Sequence, residues 1–113
     1  DATVECSDAA ALAAAQALFP VATDACDTDV TNIVKSEGQF VAAANCANAG
    51  TYTNTWTVTD ACGNTSAVFT QTINVQDTTA PTWTTAAGAL DATVECSDAA
   101  ALAAAQALFP VAT

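Results

Sequence analysis

Cysteine is the residue type in this chain best suited to chemistry, and it stands at Cys6, Cys26, Cys46, Cys62 and Cys96. Thiols spaced this widely contain no CxxC pair, the local unit from which a zinc ribbon is built. With no His in the sequence to complete a mixed metal site, disulfide formation in an oxidising compartment is the expected chemistry. The second candidate group is carboxylate. Asp24, Asp27, Asp29 and Asp60, with Asp1, would supply the several hard oxygens that calcium takes. Aspartates in loops also simply cap turns, and no dense DxDxDG run favours the cation. Calcium is the one cofactor these residues suggest.

Catalysis is set aside on the residue inventory. His and Arg are absent, and the single Lys, Lys35, falls at a strand end expected to be exposed. Ser and Thr are plentiful, but no general base of the usual kind is there to activate them, so an enzyme is not expected. Twelve acidic residues against one basic residue leave a formal charge of −11. That balance excludes nucleic acid and anionic membrane surfaces as partners, since both are bound through Lys and Arg clusters. The hydrophobic share of 52% is too high for a disordered chain. The apolar segment Ala9–Phe19 is short, Ala-rich and interrupted by Gln16, so membrane insertion is not expected. The sequence lacks Met, which implies a piece of a longer polypeptide, and such a piece would carry no visible export signal.

Repetition organises the rest. Residues 1–23 recur unchanged at 91–113, so Asp1 returns as Asp91 at a period of 90 residues. Self-similarity at that period suits a tandem array of domains of immunoglobulin size. Residues 1–77 then form one repeat unit, 78–90 an interdomain linker, and 91–113 the start of the next identical unit. Pro81 and Gly88 punctuate the linker, and Trp83 either plugs a joint between domains or packs on the edge of its own. With the period applied, each unit holds four cysteines. Cys96 is the Cys6 of the next unit, and its partner lies beyond residue 113.

The elements that position these residues follow from hydropathy patterning. Thr51–Asp60 alternates strictly, with Thr on one face and Tyr52, Trp56 and Val58 on the other, which predicts a half-buried strand. A turn at Asp60–Asn64 leads into a second strand over Thr65–Gln76, with Ala67, Phe69, Ile73 and Val75 inward. Ahead of these, Ala2–Cys6 is a short strand with Val4 inward. Ser7 is the expected N-cap of an Ala-rich helix from Asp8 to Leu18, which buries Leu12, Ala15 and Phe19 and ends before Pro20. Val21–Thr23, Val30–Lys35 and Gln39–Ala44 read as further strands, and Asn45–Gly50 as a loop. The fold class is mainly β, an immunoglobulin-like antiparallel β-sandwich with one short Ala-rich helix. If consecutive long strands alternate in direction, the first and last run the same way. Cys6 then falls at the same end as Cys46, and Cys26 at the same end as Cys62. Of the three possible pairings, Cys6–Cys46 with Cys26–Cys62 is therefore preferred.

The unit VEC…TDAC…NC…GTYTNTWTVTDACGNTS…DTTAP resembles the hyalin-type, HYR-like immunoglobulin-like repeats of very large Bacteroidetes surface adhesins, including those used in gliding motility. The resemblance implies an exported, extracellular stalk or adhesive filament without catalysis, whose neighbours are identical repeats of the same chain. It leaves the surface ligand unnamed. The competing reading is a calcium-dependent or lectin-like binding module using the aspartate-rich loops. The resemblance also makes Thr78, in Asp77-Thr-Thr, a candidate O-glycosylation acceptor. Asn64-Thr-Ser66 fits the N-glycosylation pattern, which a bacterial source would leave unused.

Overall fold

Alternation in the Thr-rich segment forces one face of the chain to be apolar, and in the computed structural model that segment lies at the centre of a sheet. The structure describes residues 1–113, which divide into two compact units, Asp1–Thr78 and Thr79–Thr113. The first unit contains β1 (Ala2–Glu5), α1 (Ala9–Gln16), β2 (Ile33–Ser36), β3 (Val41–Ala43), β4 (Cys46–Val58) and β5 (Phe69–Gln76). They form one five-stranded sheet in the order β1-β5-β4-β2, with β3 also paired to β4. The unit is thus mainly β, compatible with an immunoglobulin-like sandwich.

The central pair is antiparallel, with Tyr52 opposite Ile73 and Trp56 opposite Phe69. On the other edge of β4, β2 pairs with Thr55–Val58 and β3 with the first half of the strand. Between β2 and β3 the chain passes close to β4 at Gly38, where a Cβ would land on the Thr53 carbonyl oxygen. β1 pairs with β5 in parallel, Val4 opposite Val75. The direction expected for the first and last strands holds although Val21–Thr23 forms no strand, because β1, β2, β3 and β5 all run opposite to β4. The outward face carries cross-strand Thr pairs, Thr53 with Thr72 and Thr55 with Thr70, contacts that favour a sheet by tenths of a kcal/mol each (~0.2–1).

The core lies under α1. Val4, Ala15, Ile73 and Val75 are buried together, with Ala2, Ala11, Leu12 and Tyr52 packed around them. Burial of a side chain such as Ile73 contributes about 1.5–3 kcal/mol. A neighbouring aromatic cluster sets the Phe19 and Phe69 rings each 6.0 Å from the Trp56 ring in edge-on contact. Phe19 is nevertheless exposed, so the expected helix stripe reaches the core only through Ala15 and Leu12.

Several elements differ from expectation. The helix is capped by Asp8, whose Oδ1 accepts from the Ala11 amide at 2.9 Å, while Ser7 lies in the preceding turn. Asn45–Gly50 is not a loop: β4 begins at Cys46, because pairing with β3 recruits residues whose composition reads as turn. Val21–Thr23 forms no strand.

The second unit contains α2 (Ala99–Gln106), capped by Asp98 as α1 is by Asp8. Its residues Thr82–Thr85 pair with Val111–Thr113, with Trp83 bridging Ala112. Of the segment 78–90, expected as a linker, Thr78 groups with the first unit and 79–90 with the second copy of the repeated sequence. Ala92–Glu95, identical to β1, forms no strand, since the β5 partner of β1 has no equivalent within residues 79–113. The same residues thus make the same helix twice but the strand once. Helix hydrogen bonds are local, and strand hydrogen bonds need a distant partner.

Candidate functional site

The aspartate-rich end of the first unit is built by turns whose amides need acceptors. Asp24 Oδ1 accepts from the amides of Cys26 and Asp27, and Asp27 Oδ1 accepts from the Asp29 amide. Asp29 accepts from the Thr31 hydroxyl. Asp60 Oδ1 accepts from the amides of Cys62 and Asn64, and its Oδ2 from the Asn64 side chain at 2.8 Å. Gly63, at φ 88°, completes that turn with its amide on the Asp60 carbonyl. The Asn64 side chain, followed by backbone amides, holds the Asp60 carboxyl below the usual aspartate range. A single bond joins the two loops, from the Ala61 amide to Asp27 Oδ2 at 3.0 Å.

This end brings Asp24, Asp27, Asp29 and Asp60 together, but not Asp1. Asp1 lies beside the middle of β5, accepting from the Thr72 amide. No group of three or more Cys, Asp or Glu side chains is arranged to hold a metal ion. The carboxylates act as acceptors for their own loops.

At the opposite end Glu5 joins β1 to the segment that follows β5. Its Oε1 accepts from the Thr78 hydroxyl at 2.6 Å and from the Gln76 amide nitrogen at 2.8 Å, and its Oε2 accepts from the Thr78 backbone amide. The Thr78 hydroxyl, then its backbone amide, and then Gln76 hold the Glu5 carboxyl below its ordinary value. Thr78, the candidate glycosylation acceptor, therefore has its hydroxyl in use as a donor.

The cysteines fall at these same two ends. Cys26 lies in the Asp24 loop and Cys62 in the Asp60 turn, the two segments joined by the Asp27–Ala61 bond. Cys6 follows β1, with its amide on the Gln76 carbonyl at 2.7 Å. It lines one cavity together with Ala47, the residue after Cys46. All five cysteines are present as thiols in the structure.

A third constellation went unread in the sequence. Asn54 and Gln71 face each other across β4 and β5 and are buried. The Asn54 side-chain nitrogen donates to Gln71 Oε1 at 3.0 Å and to Gln16 Oε1 at 2.7 Å. Its oxygen accepts from the Gly38 amide, and Gln71 donates to the Ala15 carbonyl. Lys35 donates to the Gln16 carbonyl at 2.7 Å and pairs with Glu37 at 3.0 Å. It is not the exposed residue expected. Its side chain is only 13% exposed and lies over the Phe19 and Trp56 rings. The signal was available: strict alternation places Asn54 between Tyr52 and Trp56 on the inward face, and Gln71 between Phe69 and Ile73. This network anchors the C-terminus of α1 to the sheet, where a cation also suits the helix dipole.

No helix is long and apolar enough to cross a membrane. No curated protein and no solved structure matches the chain. Residues 1–75 match the family model described as a HYR-like domain with 4 cysteines, and the chain belongs to that family.

Proposed function

We propose that this chain is a structural repeat of an extracellular adhesin stalk or surface filament, of the kind found in large Bacteroidetes adhesins including gliding adhesins. HYR-like domains are extracellular, adhesion-type structural modules. The observation that carries the reading is the unchanged recurrence of residues 1–23 at 91–113. The direction of the strands supports it. β1 and β5 run the same way, so the chain passes through the unit rather than doubling back, as units joined in series need. The partners are then identical neighbouring repeats. An acidic surface keeps adjacent stalks soluble and apart.

The disulfides Cys6–Cys46 and Cys26–Cys62 complete the proposal, with Cys96 paired beyond residue 113. Their support is the meeting of the Cys26 and Cys62 segments through Asp27 and Ala61, and of Cys6 with Ala47. Each bridge closes a loop of roughly 40 residues, which by chain entropy stabilises the fold by about 4 kcal/mol. Electron microscopy of the purified parent protein tests the array. Equal beads in a row are expected, and a compact particle holding one copy of the unit would refute it.

A further inference from the structure

Val21–Thr23 and Val111–Thr113 are the same three residues following the same twenty, yet they are bonded differently. In the second unit the Thr82 amide donates to the Thr113 carbonyl at 2.8 Å, and the Thr113 amide donates back to Thr82 at 2.9 Å. The Thr84 amide donates to the Val111 carbonyl at 2.8 Å, and the Val111 amide to Thr85 Oγ1 at 2.8 Å. In the first unit Val21, Ala22 and Thr23 make none of these bonds, and Val21 is 92% exposed.

Beside them runs an apolar groove of about 180 Å3, whose lining includes Pro20, Val21, Ala22, Trp56 and Phe69. Trp56 is only 3% exposed, and its indole N–H has no acceptor. A buried donor left this way costs about 1–3 kcal/mol. A second hollow joins Asp1 to Phe19, Pro20, Trp56 and Phe69, so a chain arriving at Asp1 comes in over the same aromatic cluster.

We propose that this groove seats a strand with the sequence of Thr79–Thr85, supplied by another copy of the repeat from the segment ahead of Asp1. This rests on the reading of the chain as one repeat of an array. The residues that would receive the strand are identical to those that hold it in the second unit, and the hydrogen-bonding groups on both sides are the same. Trp83 and Pro110 line one cavity there, and the twin of Pro110, Pro20, lines the groove. The arriving Trp therefore sits beside Pro20, and Trp56 gains backbone carbonyls within its neighbourhood. Each repeat in this arrangement supplies a strand to the next.

The test is a chain in which a copy of residues 79–90 is fused ahead of Asp1, followed by amide hydrogen exchange. The Val21 and Thr23 amides should slow by about tenfold or more, approaching Val111 and Thr113, while Ala22, whose twin Ala112 donates no bond, stays fast. Proline at the fused positions matching Thr82 and Thr84 removes two donors and should abolish the protection. Exchange at Val21 and Thr23 as rapid as in the unextended chain would overturn the proposal, as would protection that survives the prolines. Failure of the array reading is a separate outcome: a parent with a single copy, whatever the fused segment does.

Discussion

Asp60 shows how much one half-buried side chain can hold. Three hydrogen bonds to its carboxylate close the turn between β4 and β5, and that carboxyl is kept below the ordinary aspartate range by Asn64. The folded state therefore binds its proton less readily than the unfolded chain. The resulting stabilisation is complete above the unfolded pKa, about 4, and is lost as pH falls through the folded value. Glu5, held down by Thr78, acts in the same window. Replacing Asp60 with Ala should flatten the acid limb of a pH–stability profile below about pH 4, measured by thermal melting across pH. That Asp24 and Asp60 would sit in turns was legible in the residue types. That they would cap those turns was legible too, since no dense DxDxDG run favours a cation. Which amides each carboxylate serves was not, because that depends on the placed loops.

Among the elements, α1 depends most on what surrounds it. Eight residues fall well short of the ~12–15 at which an isolated helix becomes even marginal in water. Ala and the Asp8 cap favour it, but the buried amide network fixes it to the sheet. Asn54→Ala should destabilise the unit by about 3 kcal/mol, since Gln16, Gly38 and Gln71 all lose a partner. Urea unfolding with an unchanged m-value checks this. Both strands of the β4–β5 pair and the first strand were legible from alternation, and the helix from Ala content and Pro20. The Val21–Thr23 strand and the Asn45–Gly50 loop were misread for one reason. Whether a short segment is extended and paired depends on a partner far away in sequence, and neither Val21 nor Asn48 announces that partner.

For the whole molecule, the four-cysteine arrangement makes a chemical prediction. Purified under oxidising conditions, the chain should alkylate at Cys96 alone, with Cys6–Cys46 and Cys26–Cys62 recovered as linked peptides by mass spectrometry. Linkage of Cys6 to Cys26 or to Cys62 would contradict it. The period of 90 residues and the count of four cysteines were legible at once because they need no geometry. The division at Thr78/Thr79 falls one residue past the boundary expected after Asp77. The pairing of Thr82–Thr85 with Val111–Thr113 was not legible, because a Thr- and Ala-rich stretch reads as a tether until its partner is seen. The parallel β1–β5 ladder has a mechanical consequence. A pull on the chain ahead of Asp1 and an opposite pull beyond Gln76 load these neighbouring strands lengthwise, in shear. Their hydrogen bonds, together with the Glu5 contacts to Gln76 and Thr78, then resist as a group and cannot be peeled open one at a time.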